Sequence, residues 1–264
     1  MSAKPRQGIK RAMSLSAPLA RGARLSVSRS GWKRRTLLIA AALAGSVAIA
    51  YAANLAGRNM LWQVVRACAL DQSATGSPLP CLETNLEAGY AVLRPPFGRP
   101  DTILTPLKAI KGLEDPQLQL PDAPNYFALA FAARRWIGAS KDRLALAVNS
   151  RLARSQDQLH IHMGCVSGEF AGRLDHALGP KPGEWFRAAD MAPGLELWTF
   201  RAGGKALGAI YPFRLLKALV GDDKLLARTT LAVVESPSDF VVVAFRSRTG
   251  GWYATAEDVV DGKC

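Results

Sequence analysis

The 264-residue sequence predicts an α+β domain, an antiparallel sheet with packed helices, preceded by one N-terminal transmembrane helix. Three observations lead there. Strand-like runs are joined as hairpins around single helices rather than as regular βαβ units, which favours an antiparallel sheet. An uncharged stretch, Thr36 to Ala53, follows directly on Lys33-Arg34-Arg35. Nearly half of the chain, 49%, is hydrophobic, enough to bury a core beyond that stretch.

The charge is unevenly placed. Residues 1–35 hold ten of the 34 Lys and Arg and no acid, which leaves 24 basic against 21 acidic residues, a net of +3, for the rest. The basic excess reads as a solvated cationic arm. A nearly balanced body argues against a nucleic-acid groove, where clustered Lys and Arg with interleaved aromatics are expected. A helix crosses a bilayer with about 20 apolar residues, and Thr36 to Gly57 meets that length. Basic residues on one flank stay in the cytoplasm, so the N-terminus is expected inside and everything after about residue 58 outside. A cleaved signal peptide is the alternative, with Ala50-Tyr51-Ala52 resembling a processing site. Either way the body is exported. The expected organisation is a cytoplasmic tail (1–35), a transmembrane helix (36–57) and one exported domain (58–264).

Within that domain, Met60 to Ala69 starts a helix, and residues 71–80 are turn-rich. Tyr90–Leu93 and Thr102–Thr105 read as strands across a Pro-Pro-Phe-Gly turn. Asp122 is the expected cap of a helix with Pro124 in its first turn. That helix runs to about Trp136 with Phe127, Phe131 and Trp136 on a core face. Leu144–Val148 is an apolar strand, and a polar, Arg-rich connection leads to a second strand, Gln158–Val166. Trp185, Phe186 and Trp198 lie among Gly and Pro, as core or loop packing or as lipid contacts. Leu207–Val220 reads as helical, and Leu231–Glu235 with Phe240–Arg246 as a hairpin.

Four cysteines in an oxidising compartment suggest two disulfides. Of the three pairings, Cys68 with Cys81 and Cys165 with Cys264 are favoured; the first closes a short loop. No Cys-x-x-Cys zinc pattern occurs.

The segment QLHIHMGC, residues 158–165, carries two of the three histidines. Alternation along a strand puts Gln158, His160, His162 and Gly164 on one face, and Leu159, Ile161, Met163 and Cys165 on the core face. The two imidazoles then stand about 7 Å apart along the strand. Arg151, Arg154, Ser155 and Gln156 approach the same end, a set suited to a phosphate-bearing substrate. Three readings compete. The histidines are surface residues without a role. They hold a metal with a third ligand, for which Asp157, Glu169 and His176 have no compelling spacing. Or one imidazole attacks phosphorus, forms a phosphoramidate and is released by water, which requires a second donor for the phosphoryl oxygens and no acid crowding the phosphate.

NSRLARSQDQLHIHMGC resembles the signature strand of the histidine-triad superfamily. More closely, residues 60–264 are similar to its membrane-anchored CDP-diacylglycerol pyrophosphatase family. The likeness includes the early Cys pair, the GYAVL strand, the Asp-Ala-Pro-Asn-Tyr-Phe helix start, the Asn-Ser-Arg turn, Cys165 and the near-terminal Cys. The resemblance implies a histidine-triad-like fold and hydrolysis of CDP-diacylglycerol to CMP and phosphatidate without cofactor or metal. His160 would be the nucleophile and His162 would hold phosphate oxygens. Asn149 would help order the substrate site, Ser155 and Gln156 would lie near the phosphates, and Arg151 and Arg154 would meet the pyrophosphate. Gln158 stands where the pattern expects the first His. An amide still hydrogen-bonds substrate but carries no charge. The implied partners are the lipid substrate and the membrane, not nucleic acid. The implied location is a bacterial inner membrane, with a single pass and the catalytic domain on the periplasmic side. A nucleotidyl hydrolase or transferase acting on soluble dinucleotides, and a non-catalytic domain that binds nucleotide or anionic lipid, are the competing expectations.

Overall fold

The computed structural model describes residues 37, 57–95, 101–138, 143–192, 194–236, 239–247 and 255–261. Of the expected transmembrane segment only Leu37 and Gly57 are among them, and Cys264 is not. No helix of the described residues is long and apolar enough to cross a membrane.

Among the described residues ten strands form one sheet: β1 (Glu83–Asn85), β2 (Tyr90–Leu93), β3 (Thr102–Pro106), β4 (Leu144–Val148), β5 (Ile161–Val166), β6 (Trp185–Ala192), β7 (Leu195–Arg201), β8 (Thr229–Ser236), β9 (Asp239–Ser247) and β10 (Val260–Asp261). Their order is β1-β2-β3-β5-β4-β8-β9-β7-β6, and β10 pairs with the end of β5. Every pairing among them is antiparallel. This is the α+β class expected from the hairpins. The helices are α1 (Met60–Thr75), α2 (Tyr126–Ala132), α3 (Gly168–His176), α4 (Pro212–Val220) and α5 (Asp223–Leu226).

Both faces of the central strands are covered. Leu144, Leu146, Val148, Ile161 and Met163 enter the main core with Phe127 of α2 and Phe213 of α4. The opposite face carries two smaller apolar clusters. Ala145, Ala147 and Val234 pack with Phe170 and Leu174 of α3 and with Ala256. Ala91, Leu93 and Ile103 pack with Leu61, Val65 and Cys68. Those three residues of α1 are spaced to line one helical face. Helix α1 ends at Gly76 with φ 75°, whose N–H bonds to the Gln72 carbonyl, the left-handed stop that glycine adopts without a Cβ clash.

Several expectations shift. The cap of α2 is Asn125, whose side chain accepts from the Ala128 N–H, not Asp122. The helix stops at Ala132 and continues as a 3-10 turn, Arg134–Ile137. The Leu207–Val220 helix is split by Tyr211-Pro212 into a 3-10 turn and α4. Trp185 and Trp198 pack against the main core, as expected, but from a strand pair, β6 and β7, that was not expected; Phe186 stays partly exposed. Cys68 and Cys81 form a disulfide. Cys165 is disulfide-bonded too, while its expected partner, Cys264, lies outside the described residues.

Candidate active site

β5 sits between β3 and β4. His162 is paired with Ile103 on one side and with Ala147 on the other. His160 comes just before the strand begins. In the same register, the next positions on that face are His160 and Asn149. The face is not open, as alternation alone suggested. The helix α1 cluster stands on one side and the Ala145–Ala256 cluster on the other. Further along, a Cβ on Gly164 would lie 2.3 Å from the Asp261 carbonyl, so β10 passes directly over it. What remains is a cavity of about 520 Å³ with His160 and His162 in its lining, within the usual range for a small-molecule site. Met60, Leu61, Val64, Leu93, Pro95 and Ile103 supply an apolar wall. Asp101, Asn149, Ser155, Gln156 and Glu257 supply polar groups around the imidazoles.

The two rings lie 5.1 Å apart, centroid to centroid, and each is fixed through Nδ1. His160 Nδ1 is 2.7 Å from the Gln158 carbonyl oxygen. A carbonyl only accepts, so Nδ1 carries the proton and the neutral ring presents the lone pair of Nε2. Burial foremost, and then the neighbouring His162, push the His160 pKa down to about 4. The Gln158 carbonyl and Glu257 oppose that fall without reversing it. At neutral pH the ring is therefore uncharged. His162 Nδ1 lies 3.3 Å from Asp101 Oδ2, and its Nε2 lies 3.8 Å from Glu257 Oε1. Neither His162 Nε2 nor Asp101 Oδ1 has a hydrogen-bond partner, although both are buried. Buried polar atoms are almost always satisfied, so such a pair lining a cavity suits a polar ligand or water.

Glu257 sits on a 3-10 turn, Ala256–Asp258, just ahead of β10. The Asn149 amide nitrogen donates to both of its oxygens, at 3.3 and 3.1 Å, and Asn149 Oδ1 accepts from the Ala256 N–H at 2.7 Å. Burial by itself would raise the Glu257 pKa. His162, Asn149, its own backbone N–H and Thr255 together hold it below the usual carboxylate range.

A sequence profile of the CDP-diacylglycerol pyrophosphatase family matches residues 56–264. The chain belongs to that family. It is also similar to a CDP-diacylglycerol pyrophosphatase of Yersinia pestis, 31% identical over 243 residues, covering 88% of this chain and 94% of that one.

For this member of the CDP-diacylglycerol pyrophosphatase family, the structure brings together His160, His162, Asn149, Ser155 and Gln156 of the residues singled out in sequence. Gln156 spends its amide elsewhere. Its Oε1 accepts from the Leu61 N–H and its Nε2 donates to the Gly57 carbonyl, so it satisfies the first turn of α1. Three residues fall outside the cavity lining. Gln158 is buried and donates to the carbonyls of Pro106 and Lys108. Its place on the imidazole face, expected from alternation, is corrected: the amide turns to those two carbonyls instead. Arg154 is buried in a two-pronged ion pair with Glu114 at 2.6 and 2.8 Å, and reaches Asp157 as well. Arg151 is exposed. Asp157 is likewise held by Arg58.

The expectation that no acid stands by the phosphate site is also corrected, because Asp101 and Glu257 both reach His162. Sequence reasoning missed both. Asp101 had a faint signal, an acid directly before an apolar strand. Glu257 had none, since nothing in the chain links residue 257 to residue 162 except the closing of β10 onto β5. Among the described residues no group of three or more His, Cys, Asp or Glu is arranged to hold a metal ion.

Proposed function

We propose that the protein is a hydrolase that splits CDP-diacylglycerol into CMP and phosphatidate through a nucleotidyl group carried on His160. The observation that carries this reading is the Nδ1 bond from His160 to the Gln158 carbonyl, in a ring that burial keeps neutral. In the first step Nε2 bonds to the phosphorus of the CMP moiety. The bond from that phosphorus to the bridging oxygen breaks, and phosphatidate leaves with the electron pair. Phosphatidate is a weak base, so its departure needs little proton donation. His162, whose Nε2 is buried and unpartnered, meets a phosphoryl oxygen. In the second step water displaces the imidazole and CMP is released. Two moderate displacements replace one difficult one.

The apolar wall favours a lipid pyrophosphate over a soluble dinucleotide. Met60, Leu61 and Val64 lie within a few residues of the apolar segment 36–57. If that segment anchors the chain in the inner membrane, with the domain on the periplasmic side, the site meets a substrate already held in the bilayer and need not extract it.

The test uses the full chain in detergent micelles with CDP-diacylglycerol, with and without chelator, beside His160→Ala. CMP from the wild type alone, indifferent to chelator, is the expected result. Normal turnover by His160→Ala would overturn the nucleotidyl-histidine step, and binding of the lipid without any CMP would overturn the hydrolase.

A further inference from the structure

We propose that Glu257 is the base that activates water in the second step, and that Asn149 is its positioning residue. The inference rests on the nucleotidyl-histidine reading above. Two carboxylates among the described residues line the cavity, and they are placed differently. Asp101 is almost fully buried and faces the Nδ1 edge of His162. Glu257 faces the Nε2 edge, and its side chain is 29% exposed, so water reaches it. The 3.8 Å separation of Nε2 from Oε1 is too long for a direct hydrogen bond. A phosphoryl oxygen that accepts from Nε2–H would lie on the edge of His162 that Glu257 faces.

The carboxylate is also held still. Asn149 donates to both of its oxygens and accepts from the turn that carries it. A flexible glutamate on an unconstrained turn would lack that fixed aim. Burial raises its pKa, but His162 and Asn149 bring it below the usual carboxylate range, so Glu257 is ionised at neutral pH and can accept a proton. The negative charge of a bound nucleotidyl group opposes that lowering and makes the carboxylate more basic.

The step balances. A water oxygen bonds to phosphorus as the P–N bond breaks. That bond's electron pair returns to His160 Nε2, which restores the neutral ring with its proton on Nδ1. One water proton passes to Glu257 and then to solvent, and CMP leaves.

The test separates the two half-reactions in the full chain with CDP-diacylglycerol in micelles. Glu257→Gln is expected to release phosphatidate about once per enzyme and then stall. It should carry a cytidylyl group on His160, detected by intact mass, with CMP release slowed about 10²-fold or more. Glu257→Asp should accumulate the same adduct to a lesser extent, which covers a failure of the glutamine variant to fold. Azide needs no deprotonation and should restore adduct breakdown in Glu257→Ala, yielding the cytidylyl azide. A Glu257→Gln enzyme that turns over like wild type would overturn the proposal. So would slowing of both half-reactions together with no adduct and no azide rescue, which is what a merely structural residue gives. Failure of the underlying reading has its own signature: no adduct in any variant, with His160→Ala still active.

Discussion

The Asp101 carboxylate and the His162 imidazole stand Oδ2 to Nδ1 at 3.3 Å, both buried, across the pairing of β3 with β5. The contact sets which edge of His162 faces the cavity. It comes from residues 61 positions apart, and the strand register alone brings them together.

Asp101→Asn keeps the shape and removes the charge. The expected outcome is a fall in kcat of roughly 10²-fold, the scale of a lost proton-handling contact, with little change in KM. Steady-state kinetics checks the split, and a thermal melt close to that of the wild type confirms that the fold is intact.

His160 makes stability depend on pH. Its folded pKa, about 4, lies below the ordinary 6.5. The unfolded chain therefore takes up a proton first as pH falls. The stabilisation is complete above about 6.5 and is lost between there and about 4. A shift of that size is worth ~3 kcal/mol. His162, Glu257 and Arg154 act on the same ring, but burial dominates. Denaturant midpoints measured across that window should fall more steeply for the wild type than for His160→Asn. Parallel curves would contradict the assignment.

Arg154 reads in sequence as a phosphate ligand, but the structure uses it to neutralise Glu114. Its guanidinium also fills the space beside Gly112, where an added Cβ would lie 2.1 Å from Nη1. Removing one member of a buried pair costs about 3–5 kcal/mol. Arg154→Ala should therefore unfold at much lower denaturant while the KM of the folded fraction stays near that of the wild type. A KM increase of tenfold or more at unchanged stability would return Arg154 to the substrate.

Gln158→His would supply the imidazole that the histidine-triad pattern expects. The side chain points at the carbonyls of Pro106 and Lys108, so no gain in rate is expected. Loss of a buried amide donor costs about 1–3 kcal/mol. Activity and melting temperature measured together check this: a faster enzyme would mean that the side chain does reach substrate.

Much of the sheet was legible because a short apolar run bounded by turn residues is a local property. Tyr90–Leu93 and Leu144–Val148 are strands at the expected bounds, and β8 pairs with β9 as a hairpin. Strands β6 and β7 were not legible. Burial alternates along β7, but β6 has no alternation of polar and apolar residues, and Gly and Pro ahead of Trp185 mask the signal. The edge of α2 was misjudged because Asp122 and Asn125 both suit a cap, and only contact with α4 and its flanks decides. There Asn125 also donates to the carbonyls of Leu207 and Ile210.

By itself the sequence determined the hydrophobic alternation, the hairpin succession, the paired His160 and His162 and the family likeness. All of these are written in neighbouring residues or in order along the chain. The tertiary structure alone decided which polar residues face the cavity. It turned Gln158 and Arg154 toward the scaffold, and it brought Asp101 and Glu257 from far along the chain to the two edges of His162. The reason is physical: a buried polar group must find a partner, and which partner lies within reach depends on strand register and chain closure, not on separation in sequence.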